Sequence, residues 1–264
     1  MYDFEYVKPA SLADAAGFLK THDDARLLAG GMTLVPTLKQ RLARPSHLID
    51  LAGLPDLSGI KTSSGEICIG AMTTHAAVAR SADMQRAIPA LAHLAEGIGD
   101  PHVRHRGTLG GSIANNDPAA DYPAAVLALN ATIRTNERNI AADDFFTGMF
   151  ETALEPGEII RSVAFPIPEK AAYVKFRNPA SRYAMAGVFV AKAKSGIRVA
   201  VTGAGPCVFR QAEMEDALSR KWTPEALDTI AQPADGLTQD IHGTAEYRAH
   251  LVRVLAKRAV EAAG

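Results

Sequence analysis

Apolar positions recur at helical spacing early in the chain. Leu12, Ala15, Ala16 and Leu19 fall on one face behind Ser11, which predicts a capped helix over 11–20. Arg26–Leu28 reads as a short strand that runs into Ala29-Gly30-Gly31. A helix is predicted from Thr33 to about Leu42, with Pro36 in its first turn, where a missing N–H costs nothing. His47–Leu51 alternates as a strand, and Ile60–Gly70 as a hairpin turning at Ser63-Ser64-Gly65. Thr74 is positioned to cap a helix. Met84–Gly97 is helical around Ile88, Leu91 and Leu94, with a break at Pro89.

The periodicity is then lost. Gly97 to Pro118 is rich in glycine and predicts no regular element, and an irregular stretch of this length inside a compact domain is usually functional. Pattern resumes at Asp121, which is expected to cap a helix over Tyr122–Leu129. Thr132–Ile140 follows as a hairpin around Asn136-Glu137-Arg138. Glu158–Phe165 is a strand closed by Pro166 and Pro168. Those prolines mark a boundary between residues 1–168, with subdomains of about 1–53 and 54–168, and residues 169–264. Beyond them come three strand-like runs, Tyr173–Arg177, Tyr183–Lys192 and Arg198–Thr202, and a helix start at Thr223-Pro224-Glu225. The last helix, Tyr247–Ala262, has Leu251, Val254, Leu255 and Val260 predicted inward and Arg248, Arg253, Lys257 and Arg258 outward. The class is therefore α+β, ending in a small antiparallel sheet backed by helices.

Charge and composition narrow the chemistry. The 264 residues carry a formal net charge of -1, which gives no electrostatic case for nucleic acid or an anionic membrane. The acidic start, Met1-Tyr2-Asp3-Phe4-Glu5, lacks a secretion signal, and no apolar run approaches ~20 residues, so a cytoplasmic protein is expected. Cys68 and Cys207 are the only two cysteines, too few for an iron–sulfur cluster that needs about four thiolates. His102 and His105 lack companion ligands, so no metal site is expected, and they read as a basic loop edge. Asp143-Asp144 reads as a solvated helix start.

Two glycine loops carry the candidate chemistry. Backbone N–H groups approach a phosphate closely where no Cβ intervenes, and a helix beginning just beyond adds partial positive charge. Ala29-Gly30-Gly31-Met32-Thr33 has that layout, and Thr108-Leu109-Gly110-Gly111-Ser112 repeats it. Neither contains the lysine of a P-loop, so amides and hydroxyls holding a diphosphate are indicated. A tight strand-to-helix turn with Thr33 as N-cap, and a glycine-rich surface loop, are the alternative readings. Val201-Thr202-Gly203-Ala204-Gly205-Pro206 imitates a dinucleotide fingerprint, but Pro206 removes an N–H and no helix follows, so it reads as a turn.

At these loops the chain resembles the FAD-binding medium subunit of molybdenum hydroxylases, the carbon monoxide dehydrogenase and xanthine dehydrogenase group. The first segment of likeness is Ala29 to Pro36. The second runs from Val103 through Ser112 and on through Asp117-Pro118-Ala119-Ala120-Asp121-Tyr122-Pro123. The likeness continues through Gly157-Glu158-Ile159-Ile160 into the C-terminal sheet and is greatest to the carbon monoxide dehydrogenase branch. It implies an FAD-binding fold of the PCMH, or vanillyl-alcohol-oxidase, type, with two N-terminal α/β subdomains and a C-terminal three-stranded antiparallel sheet plus helices.

By the same resemblance, Ala29, Gly30, Gly31, Met32 and Thr33, with Thr108, Leu109, Gly110, Gly111 and Ser112, would hold the pyrophosphate, with Asn115 nearby. Asp121 would bind the sugar-alcohol chain of FAD. Ile98 and Gly99 would line the adenosine side, and Ile160 would pack near the isoalloxazine. Lys175 and Tyr183 would approach the flavin from the C-terminal domain as catalytic residues, the lysine stabilising reduced flavin by charge. Arg182 stands where the family commonly has an acidic residue, which bears on the flavin's electron acceptor. The resemblance also implies an electron-transfer role without direct contact with the organic substrate. A molybdenum-cofactor large subunit and a [2Fe–2S] small subunit would complete a heterotrimer, itself doubled, with association to the inner face of the membrane through that complex left open. A stand-alone flavoprotein oxidoreductase of the same fold and a non-catalytic FAD-binding module are the alternatives, and a plain nucleotide-binding protein would lack flavin colour.

Overall fold

A computed structural model describes all 264 residues. Three short parallel strands form the first sheet, in the order Glu5–Val7, His47–Asp50, Arg26–Leu28, with Tyr6 opposite Leu48 and Leu27 opposite Ile49. Parallel strands need crossover connections, and the helices Leu12–Thr21 and Leu34–Lys39 supply them. Ser11 caps the first by accepting from the Asp14 N–H at 3.1 Å. The second helix is shorter than the predicted 33–42. Ala15, Ala25, Ile49, Leu51 and Leu57 form a small core that Ile159 completes from far along the chain.

The second sheet is antiparallel with five strands, ordered Ile60–Ser63, Glu66–Gly70, Ile160–Pro166, Thr132–Thr135, Asn139–Ala141. Helices Pro89–Glu96 and Tyr122–Ala128 pack in its core through Leu91, Leu94, Val126 and Leu127.

The stretch predicted to be irregular contains two helices, Pro101–Arg106 and Leu109–Asn115. Their stability comes from their ends, which periodicity cannot register. The Asp100 carboxylate accepts from the Val103 N–H at 3.0 Å, and the Thr108 hydroxyl from the Gly111 N–H at 3.1 Å. Asn116 closes the second helix in the left-handed region, at φ 42°. His102 and His105 therefore lie exposed on a helix, not on a loop edge.

The third sheet holds Lys170–Arg177, Ala184–Ala193 and Gly196–Thr202, with the two-residue strand Phe209–Arg210 added at its edge. Both faces of its central strand are buried. Ala186, Val188 and Val190 point into a core with Leu251, Val252 and Leu255 of the final helix, Ala245–Ala263. Phe189 and Ala191 point the other way, into the core of the second sheet. That two-sided burial makes the strand a continuous apolar run.

One charged residue departs from expectation. Arg248, predicted outward, is 3 % exposed; it donates to the Met185 and Gly203 carbonyls and pairs with Asp240 at 2.7 Å. Asp143 is the predicted exposed helix start, in the first turn of Ala142–Phe145, and in addition accepts two hydrogen bonds from Arg198, at 2.7 and 2.9 Å, with Arg210 at 3.5 Å. The Arg198 hydrogen bonds hold its carboxyl below the usual range. This cluster ties the C-terminal sheet to the helix Ala142–Phe145, which follows strand Asn139–Ala141 of the second sheet. No helix is long and apolar enough to cross a membrane.

Candidate functional site

Residues 29–33 leave the end of the strand Arg26–Leu28 and turn into the helix Leu34–Lys39. Gly31 sits at φ +73°, where a side chain is disfavoured. None of the five backbone N–H groups from Ala29 to Thr33 donates to another group of the chain. The Thr33 hydroxyl makes no capping bond either, so the plain N-cap reading fails. Native proteins leave few such donors unpaired, and a consecutive run of them facing a cavity is an anion-binding arrangement.

The second loop works differently, which corrects the expectation that the two loops are equivalent. The Leu109 N–H donates to the Thr73 carbonyl at 3.1 Å and the Gly110 N–H to the Ala71 carbonyl at 2.8 Å. The Leu109 side chain is fully buried in the core and does not line the cavity. A Cβ on Gly110 would stand 2.5 Å from the Ala71 Cβ, so this glycine is needed for close packing on the end of strand Glu66–Gly70. Gly111 is the residue that meets the first loop: a Cβ there would lie 3.4 Å from the Ala29 Cβ. Thr108, Gly110, Gly111, Ser112 and Asn115 line the cavity, as does the whole first loop, including Met32.

The cavity measures about 640 Å³ and runs between the first two sheets to the C-terminal domain. Its far wall carries Asp121, which is 4 % exposed. Asp121 does not cap its helix. Its carboxylate instead accepts from the Tyr173 hydroxyl at 2.5 Å and from Lys175 Nζ at 3.0 Å. Burial pushes the Asp121 carboxyl up, while Lys175, Tyr173 and Arg177 oppose that shift. Lys175 is equally buried and does not line the cavity. It thus faces Asp121 and borders the cavity through that carboxylate.

Tyr183 and Arg182 reach the cavity from the turn after strand Lys170–Arg177. Buried Asn178 fixes that turn, its side-chain oxygen accepting from the Ala180 and Ser181 N–H groups at 2.9 and 3.1 Å. Arg182 takes φ 64°, and its guanidinium lies 3.5 Å from the Gly99 carbonyl. Burial, with Asp117 and Asp121 nearby, raises the Tyr183 hydroxyl. This contact puts Gly99 and Ile98 at the same end of the cavity as Tyr183. Ile160 also lines the cavity and is buried in the core of the second sheet, against which Ile98 packs.

The fingerprint-like segment at 201–206 is a turn with a structural duty. The Gly203 N–H donates to the Pro118 carbonyl at 2.8 Å, and the Thr202 hydroxyl to the Ala120 carbonyl at 2.6 Å. It holds the chain just ahead of Asp121. Sequence reasoning missed His75, which lines the cavity, and Tyr173, which orients Asp121. Neither belongs to a glycine pattern; their only signals are an ordinary helix start and an ordinary strand position.

The chain belongs to the family described as the FAD binding domain in molybdopterin dehydrogenase, matched over residues 2–168. Residues 171–263 match the CO dehydrogenase flavoprotein C-terminal domain. It is thus an FAD-binding oxidoreductase subunit that acts in electron transfer within a complex. It is 36% identical to the nicotine 6-hydroxylase medium subunit of Paenarthrobacter nicotinovorans, over 98% of this chain and 96% of that one. It is 37% identical to the carbon monoxide dehydrogenase medium chain of Hydrogenophaga pseudoflava, with the same coverage, 98% and 96%. The solved CO dehydrogenase from Oligotropha carboxidovorans superposes with a TM-score of 0.93 at 35% identity, covering 99% of this chain and 98% of that one.

Proposed function

We propose that this chain holds FAD in the cavity between its two glycine loops. We propose further that it takes electrons from a [2Fe–2S] subunit and delivers them to an external acceptor, with a molybdenum-cofactor subunit oxidising the substrate. The observation that carries the cofactor assignment is the run of unpaired N–H groups from Ala29 to Thr33, packed against the backbone of the second loop. When bound, FAD supplies redox chemistry that no side chain here provides.

The amides of residues 29–33, with the Thr33 and Ser112 hydroxyls, hold the diphosphate. Asp121, oriented by Tyr173 and Lys175, accepts from the sugar-alcohol hydroxyls. Lys175 acts through Asp121 as a positioning residue, keeping a negative charge in a site that would otherwise favour the neutral acid. Tyr183, with Ile98 and Gly99, flanks the ring end of the cofactor, a pairing that the contact between Arg182 and Gly99 supports, and Ile160 packs against the bound cofactor from the wall of the same cavity. Arg182 brings a positive charge to the ring end, where electrons leave.

Two cysteines cannot carry an iron–sulfur relay, so electrons reach the chain from partners. A carbon monoxide dehydrogenase-like complex, a dimer of heterotrimers in the cytoplasm, fits relatives named as medium chains. Those relatives are named for nicotine, carbon monoxide and glyceraldehyde, so the substrate is selected outside this subunit. Anaerobic mixing tests the reading. The flavin absorbance of the loaded chain should bleach with the reduced iron–sulfur subunit and stay unchanged with the organic substrate alone. Bleaching by the substrate with no partner present would show a stand-alone flavoenzyme instead.

A further inference from the structure

His75 opens the helix His75–Arg80 on the wall of the cavity, beneath the second loop. Its backbone N–H donates to the Gly107 carbonyl at 3.0 Å. Its ring crowds the same residue: a Cβ on Gly107 would stand 2.6 Å from Nε2. Gly107 in turn touches the first loop, since a Cβ on Gly30 would stand 2.8 Å from the Gly107 Cα. The imidazole and the unpaired amides of residues 29–33 therefore meet at one glycine.

The side chain is 4 % exposed, and Nδ1 is sealed with no hydrogen-bond partner. The nearest polar aromatic, Tyr122, has its ring 5.4 Å away, and its own hydroxyl is also without a partner. Burial, with the Arg104 guanidinium nearby, lowers the His75 pKa to about 4, so the ring is neutral. A neutral imidazole has a single N–H. On Nδ1 that proton would be a buried donor with no acceptor, whereas a bare Nδ1 is only an under-used acceptor, which interiors tolerate better. The proton therefore belongs on Nε2, at the Gly107 side.

We propose that His75 is a further cofactor-positioning residue, a neutral Nε2–H imidazole that donates to a diphosphate oxygen of FAD past the bare Cα of Gly107. The inference rests on FAD occupying this cavity. It gives the absent Cβ of Gly107 a purpose, because any side chain there would collide with the ring. It also makes the second loop a contributor through the residue beneath it, although the Leu109 and Gly110 amides are already committed.

The test uses the full chain freed of flavin and titrated with FAD, for wild type, His75→Leu and His75→Gln. Ring ¹⁵N shifts of His75 are read before and after loading. A hydrogen bond to a charged acceptor predicts roughly ten- to a hundred-fold weaker FAD binding in His75→Leu. His75→Gln, which keeps an N–H donor, should recover most of that loss. The wild-type ring should read as the Nε2–H tautomer, with a shift on loading. Wild-type affinity in His75→Leu, equal loss in both variants, or an Nδ1–H tautomer would each overturn the proposal. If His75→Leu does not fold, the glutamine variant and the tautomer decide it. A wild-type chain that does not bind FAD at all would instead overturn the assignment of the cavity.

Discussion

Gly30 lies directly against Arg106: a Cβ on Gly30 would stand 2.1 Å from the Arg106 carbonyl oxygen. The first loop can rest on the second only because that Cβ is missing. Gly30→Ala should therefore push the loops apart, costing about 1–3 kcal/mol of stability and more of the cofactor affinity. The flavin-to-protein absorbance ratio of the purified variant, beside its thermal unfolding, checks this. Full flavin content with unchanged unfolding would show that the close approach is dispensable.

The buried Asp121–Lys175 pair makes a second prediction. Removing the lysine leaves Asp121 buried without its cationic partner, so that it must stay charged and unpaired or take up a proton, and Lys175→Met should destabilise the chain by about 3–5 kcal/mol near neutral pH. Adding Asp121→Asn removes the unpaired acid and should restore part of that stability. Urea unfolding of the two variants measures it. A double variant less stable than Lys175→Met would contradict the pairing.

A pH dependence follows from His75 in the flavin-free chain. Its folded-state pKa of about 4 lies below the ordinary 6.5, so between those values the unfolded chain binds the extra proton. Its contribution is complete above pH 6.5 and is lost as pH falls toward 4, by about 3 kcal/mol. Unfolding free energies of wild type and His75→Gln from pH 7 to 4 isolate the effect. The glutamine variant should lose less stability over that window, and parallel curves would refute the assignment.

Arg248 ties the final helix to the turn at Asp240 and to the Met185 and Gly203 carbonyls. Arg248→Met leaves those acceptors unpaired and should cost about 3–5 kcal/mol. The loss should appear as a lower unfolding midpoint at an unchanged denaturant slope. An unshifted midpoint would mean that water replaces the guanidinium freely.

The sequence makes the long-patterned elements and the glycine pairs legible, because burial on one face leaves a period and a bare backbone leaves glycine. It hides what depends on single end groups. Asp100-Pro101 and Thr108 with Gly111 are capping signals that start two helices too short to show a period. It also hides long-range pairings. Nothing near Lys175 says that it reaches Asp121, and nothing in a helix-outward pattern says that Arg248 is buried against the Met185 and Gly203 carbonyls. The chemistry of the two loops looked identical because residue types repeat; only the hydrogen bonds of Leu109 and Gly110 to residues 71–73 separate them.

The central claim is that this chain carries FAD and serves partner subunits. Its most direct test is mild purification from the native host, followed by flavin, iron and molybdenum analysis of whatever stays bound. The expected result is one FAD on this chain, with molybdenum and [2Fe–2S] clusters on co-purifying chains. A flavin-free protein, or a solitary flavoprotein that its organic substrate reduces directly, would contradict it.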